Sequence, residues 1–304
     1  MFDLSTAPSV SRRLKPYFVD FIEMLALVQD EDGISKDDVT ERILDEGEDE
    51  EEQDQLFIND CYELLECRAE IYGESYPFSI ERNQTIKVKD NISNINRYYI
   101  FLLLCSYSSK VDDNASLRRD FEQVCATALQ GYLPPLAECH VFGKSGLEIE
   151  RYSGHISQKL EKLARDLGVN IDFEEDDFSP YNTGDNGLDV VAWLHIPGDS
   201  YKKYSQIYFA QCATGKEWPN KQGEPLKIGN LLRLNNNFST IICIPYDTRK
   251  ISGKPIDHND ITASVYLDRY RIITLLERGH QIDGLQCNQT HIQRALDYEE
   301  PFYE

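Results

Sequence analysis

Apolar residues recur at helical spacing in the first part of the chain. The run Tyr17-Phe18-Val19-Asp20-Phe21-Ile22-Glu23-Met24-Leu25-Ala26-Leu27-Val28-Gln29 predicts a first helix. A second, short helix is expected over Ile34 to Val39, where Ser35 is placed to cap it with Asp38 at the third position. The acidic run Asp45 to Glu52 reads as a solvated loop, and a third helix follows from about Gln53 to Tyr72. Phe78-Ser79-Ile80-Glu81 and Thr85-Ile86-Lys87-Val88-Lys89 then alternate around Arg82-Asn83-Gln84, the pattern of a β-hairpin. Three helices and a hairpin come in the order of a winged-helix module.

Further on, an apolar helix is expected from Asn96 to Ser108. Another spans 116 to 132, with Leu117, Phe121, Val124, Cys125, Ala128 and Leu129 on its inner face. A helix over Gly154 to Leu167 stops at Gly168, a residue suited to a helix C-terminus. Strands are predicted near 188–196 and 206–213, then a short helix near 226–235 and the strand Thr240 to Pro245. Asp268-Arg269-Tyr270-Arg271, read as one helix with Val265, Leu267, Ile272 and Leu275, looks like a surface stripe whose Arg269 and Arg271 are in reach of a nucleic-acid backbone. The order helix, strand, strand, helix, strand predicts an α/β domain with a mixed β-sheet flanked by helices.

At 304 residues the chain is long for one domain, and charge divides it. Residues 1–96 carry nine Lys/Arg against 24 Asp/Glu, a net −15, while residues 97–304 carry 22 against 29, or −7. We therefore expect an acidic N-terminal domain over 1–96 and a second domain over 97–304. The third helix of the first holds Asp54, Asp60, Glu63, Glu66 and Glu70 with Arg68 as its only base. Phosphates would be repelled there, so this module is expected to bind a protein partner or to act in autoinhibition rather than to read DNA.

The balance reverses between residues 201 and 254, with nine basic residues against Glu217, Glu224 and Asp247. Lys202, Lys203, Lys221, Lys227 and Arg233 of that stretch are candidate DNA contacts, since binding follows the local field more than the total charge of −22. The bland alternative is a scattered, solvated face.

Eight cysteines without a CxxC pair, several inside apolar runs, read as reduced core residues. The longest apolar run is far below the roughly 20 residues of a membrane span, and no basic-then-apolar signal opens the chain. A cytoplasmic protein off the membrane is expected. No P-loop, no GxGxxG, no His pair at i and i+4 and no nucleophile elbow is present, which argues against P-loop nucleotide hydrolysis, zinc hydrolysis and Ser-His-Asp chemistry.

The chemistry concentrates in Gly184-Asp185-Asn186-Gly187-Leu188-Asp189, followed by Gln211-Cys212-Ala213. A carboxylate heading one strand and an amide oxygen inside the next are positioned to share one hard cation. With Phe121-Glu122 on a helix, these elements resemble the PD-(D/E)XK nuclease superfamily, and within it the Mrr-like restriction endonucleases, over roughly residues 115–245. The resemblance implies a restriction-endonuclease-like core and a Mg²⁺ centre, with Mn²⁺ as a substitute. Asp189, Gln211 and the Cys212 backbone carbonyl would ligate the metal, and Glu122 would be an accessory ligand or would orient water. It also implies hydrolysis of DNA phosphodiesters in restriction or anti-phage defence, often by homodimers or under a partner's control.

One position departs from that pattern. Ala213 stands where the superfamily has its lysine, and a methyl group cannot polarise a phosphate. Lys216, after Gly215, is the nearest substitute expected to act in catalysis, and Lys221 the second. The alternative from another class is a catalytically silent, nuclease-like binding or regulatory subunit of a defence complex.

Overall fold

The computed structural model describes residues 4, 7–8, 10–29, 32–43, 51–110, 114–143, 151–179, 181–182, 184–202, 205–234, 238–255, 257–279 and 289–297. Residues 45–50 of the acidic run, and Lys203, lie outside the described residues; Glu51 and Glu52 open a helix. The described contacts cluster into two compact units. One comprises Met1–Asn114, Pro245–His258 and Gln286–Glu304; the other comprises Ala115–Ile244 and Asn259–Leu285. The expected boundary at 96/97 thus falls inside the first unit.

That first unit is built on α1 (Lys15–Val28), α2 (Lys36–Ile43), α3 (Glu51–Tyr72), the hairpin β1 (Phe78–Ile80) and β2 (Ile86–Val88), α4 (Asn94–Ser106) and α9 (Gln289–Leu296). Every residue of α1 from Pro16 to Val28 is buried, as suits a helix that is apolar almost all round and is surrounded by others. Asp38 accepts from both the backbone N–H and the hydroxyl of Ser35, which secures the start of α2. Ile34 bridges to Ile86, so the segment before α2 adds to the β1–β2 pair.

A buried ionic network sits in this unit. Arg68, on α3, is 2 % exposed; its Nη1 donates to Asp20 Oδ1 at 2.7 Å and lies 3.0 Å from Glu23 Oε2. Its Nη2 donates to the carbonyls of Pro16 and Asp247. Tyr76 and Tyr99 donate to Glu23 Oε1, and Tyr72 donates to Asp247 Oδ2. The one base of α3 therefore faces inward, while Glu63, Glu66 and Glu70 are exposed.

The second unit has α5 (Asn114–Tyr132), β3 (Glu138–Val141), α6 (Ile156–Leu167), β4 (Val190–Leu194), β5 (Gln206–Cys212), α7 (Glu224–Leu231), β6 (Ser239–Cys243), β7 (Val265–Leu267) and α8 (Arg269–Arg278). The strands form one mixed sheet in the order β3-β4-β5-β6-β7. Pairing is antiparallel from β3 through β5 and parallel from β5 through β7. The expected mixed sheet with helices is present, with β3 and β7 added at its two edges.

The stretch expected as one helix from Val265 divides differently. Val265 and Leu267 belong to β7, and Asp268 then caps α8 through its side chain, which accepts from the Arg271 N–H. Arg269 is fully buried, not a surface stripe, and Arg271 donates to the Tyr266 carbonyl while lying over that ring.

Along α6, Ile156, Leu160, Leu163 and Leu167 are wholly buried against Val191, Trp193, Ile207 and Phe209 of the sheet. Burial of this kind is worth roughly 1.5–3 kcal/mol per side chain and holds α6 firmly over one sheet face. Gly168 ends the helix in the left-handed conformation, φ 67°.

Candidate active site

The turn before β4 is shaped by its own side chain. Asp185 Oδ1 accepts from the Gly187 N–H at 2.8 Å, and Asn186 and Gly187 both take positive φ, 56° and 85°. A Cβ on Gly187 would lie 2.7 Å from Glu224 Cβ, so that position needs glycine for space as well as for conformation. The chain then enters the sheet. The Asp189 N–H donates to the Ala210 carbonyl, and the Asp189 carbonyl accepts from Phe142 and Gly143. Asp189 is thus locked between its two neighbour strands, one register step beyond the Val190–Ala210 pair and opposite Gln211.

Three oxygen-bearing side chains meet at this end of the sheet. Asp189 is 5 % exposed, and its Oδ2 accepts from the Cys212 backbone N–H at 2.6 Å. Gln211 is 6 % exposed, with Oε1 buried and without a hydrogen-bond partner. Glu122 reaches in from α5, and its Oε2 is also buried and unpartnered. Gly143 makes room for it, since a Cβ there would stand 2.5 Å from Glu122 Oε2. Glu122 is therefore partly buried, with its carboxyl turned away from solvent.

Electrostatics follow from this burial. Desolvation, then the nearby charges of Asp189 and Asp185, push the Glu122 carboxyl up to about 9, against the pull of Lys159 and Arg119. Asp189 is raised to about 8 by desolvation and by Asp185, with the Cys212 N–H and Lys221 acting the other way. Burial and mutual repulsion thus favour the proton-bound form of both carboxyls, and a bound cation would favour the charged form.

The positive charge comes from a place the sequence did not advertise. Ala213 is a buried methyl group at the end of β5, and Lys216 lies exposed in the turn before Trp218. Lys221 is half-buried, and its charge is felt at Asp189. Lys159 on α6 is 2 % exposed; its ammonium donates to the Gly184 carbonyl at 3.2 Å, stands 5.9 Å from the centre of the Phe142 ring, and acts on Glu122. The available signal was a lysine three residues after Ile156 and four before Leu163, on the apolar stripe of its helix.

The remaining basic candidates are distributed differently. Lys202 donates to the Asp166 carbonyl, and Arg233 pairs with Asp172. Lys227 is exposed on α7. Trp218 is 3 % exposed beside Tyr266 and belongs to the core.

Two donor sets for a metal follow. The oxygens of Glu122, Asp189 and Gln211, two of them buried without partners, are of the kind a hard divalent cation such as Mg²⁺ takes. Among the described residues, three His, Cys, Asp or Glu ligand atoms come within 4.8 Å of one another at a different place, the sulfurs of Cys125, Cys212 and Cys243. All seven described cysteines are free of disulfides. Among the described residues, no helix is long and apolar enough to cross a membrane. No family model, no curated protein and no solved structure matches this chain.

Proposed function

We propose that the second unit is a Mg²⁺-dependent DNA endonuclease of the PD-(D/E)XK kind, in its Mrr-like branch, serving restriction or anti-phage defence. The observation that carries this reading is the convergence of two buried carboxyls, Glu122 and Asp189, with an unpartnered Gln211 Oε1 beside a buried lysine. The mixed sheet, with Asp189 at the head of β4 and Gln211 in the adjoining β5, supports it.

Mg²⁺, or Mn²⁺ in its place, supplies Lewis acidity toward a phosphodiester oxygen and lowers the pKa of water. Asp189 and Glu122 would give up their protons to become its anionic ligands, and Gln211 Oε1 would add a neutral oxygen without a proton to lose. The Cys212 N–H keeps the Asp189 carboxylate aimed. Lys159 Nζ, positioned by the Gly184 carbonyl, would donate toward the negative charge developing on phosphate, the work that Ala213 cannot do. Lys221 adds positive potential near Asp189, and Lys227 on α7 would contact the DNA backbone. Lys202, which precedes β5, and Arg233, which precedes the parallel β6, stand at the other end of these strands and are not assigned to this site.

The first unit would act as a winged-helix module for a protein partner. Its α3 presents Glu63, Glu66 and Glu70 outward while its one arginine is buried, a surface that repels phosphate. Cytoplasmic action and homodimeric cleavage belong to the same proposal.

Ala213 favours one second reading, a silent nuclease-like subunit that binds and does not cut. Incubation with supercoiled plasmid and Mg²⁺ or Mn²⁺ at low salt separates the two. Nicked or linear product from the wild type, absent with Asp189→Ala, is expected. Intact plasmid from a wild type that retards DNA in a gel would leave the silent subunit as the surviving reading.

A further inference from the structure

Three sulfurs converge inside the second unit. Cys212 on β5 and Cys243 on β6 are register partners across a parallel pair, and Cys125 on α5 completes the group, all three Sγ atoms lying within 4.8 Å of one another. Cys125 and Cys243 are about 1 % and 0 % exposed, and Cys212 is partly buried. An M–S bond of about 2.3 Å with angles between tetrahedral and trigonal puts ligating sulfurs roughly 3.8–4.0 Å apart, so little movement would close them on one ion.

We propose that Cys125, Cys212 and Cys243 form a three-thiolate site for one soft d¹⁰ metal ion, Cu(I) or Zn²⁺. Sulfur-only donors discriminate against Mg²⁺ and Ca²⁺, which take oxygen, and in favour of thiophilic ions. Among the described residues no fourth His, Cys, Asp or Glu atom joins the three within 4.8 Å, so a closed four-ligand protein site is not built. That donor count suits trigonal Cu(I). Zn²⁺ would complete its shell with water and would leave less net negative charge in the interior. Binding is an exchange of protons for metal: each thiol that ligates releases one proton to solvent, and no oxidant or reductant is consumed.

The site is distinct from the oxygen-lined one but shares Cys212 with it. The same residue offers its sulfur to this group and its backbone N–H to Asp189, so a metal on the sulfurs would stiffen the strand end that aims the carboxylate. The inference stands on the sulfur geometry alone, and metal retention is measured without nucleic acid, so its outcome is independent of any nuclease activity.

The test titrates reduced, metal-free full-length protein under anaerobic conditions, with Zn²⁺ against a chromophoric chelator and separately with Cu(I) against a Cu(I)-selective chelator. We expect one equivalent of one of these ions to be withheld from its chelator, with proton release and a rise in the wild-type melting temperature. Cys125→Ser and Cys243→Ala should lose that equivalent, and Cys61→Ser should keep it. Failure of the wild type to retain either ion would overturn the site, whatever the folding of the variants. So would retention unchanged in both cysteine variants, or a Cys212–Cys243 disulfide in protein isolated without reductant.

Discussion

The backbone N–H of Cys212 donates to Asp189 Oδ2 at 2.6 Å, so the carboxylate heading β4 is held by the strand beside it. The bond favours the charged form of a group whose burial favours the neutral one. Burial wins, and the result has a definite sign. Asp189 and Glu122 ionise near pH 4 in the unfolded chain but at about 8 and about 9 when folded, so between those limits the folded state holds more protons. Their contribution to stability therefore falls as pH rises from about 4 and levels off above about 9. In EDTA, urea unfolding of the wild type should lose ground to the double variant Asp189→Asn, Glu122→Gln as pH is raised across this window. A constant difference between the two would contradict the burial of these carboxyls.

Lys159 is assigned the positive charge of the site. Lys159→Met should lower kcat on DNA on the order of 10²–10³-fold, the usual cost of removing a donor to developing charge, without weakening Mg²⁺ binding. Lys216→Ala should leave most of the activity. Steady-state kinetics on an oligonucleotide duplex, paired with Mn²⁺ binding by electron paramagnetic resonance, checks both. A large loss with Lys216→Ala and none with Lys159→Met would return the role to the loop.

Gly143→Ala should separate activity from folding. The new Cβ would press on Glu122 Oε2, the far end of a flexible side chain, and displace that carboxylate while the strand keeps its pairing. Cleavage should fall at least as far as in Glu122→Gln, with a nearly unchanged urea midpoint.

Arg68 gives the first unit its own test. Arg68→Met removes the cation facing Asp20, Glu23 and Asp247 and leaves buried charge uncompensated, a loss of about 3–5 kcal/mol. Urea melts of the two proteins at neutral pH measure this loss, and equal midpoints would contradict the buried network.

What was legible in the sequence follows the physics of each signal. Long amphipathic or apolar runs fixed α1, α3, α5 and α6 to within a few residues, and Asp189, immediately before β4, stands across from Gln211 of β5. β3 was missed because Glu138-Cys139-His140-Val141 is short, lies at the sheet edge and does not alternate. β7 was folded into α8 because three residues of strand run directly into a helix. Arg68 and Arg269 look like surface charges in sequence, yet both are buried, Arg68 by acids from segments 48 and 179 residues away. The sulfur cluster had no local signature, since its members come from α5, β5 and β6 and meet only in the folded sheet. Lys159 showed itself only as a charge on an apolar stripe.

The most direct test of the account is a crystal of the protein with a short DNA duplex and Mn²⁺, read by anomalous scattering. The account predicts Mn²⁺ bound by Asp189, Gln211 Oε1 and the Cys212 carbonyl, with Glu122 at its edge and Lys159 facing the scissile phosphate. Mn²⁺ absent from these oxygens, or DNA seated away from them, would contradict it.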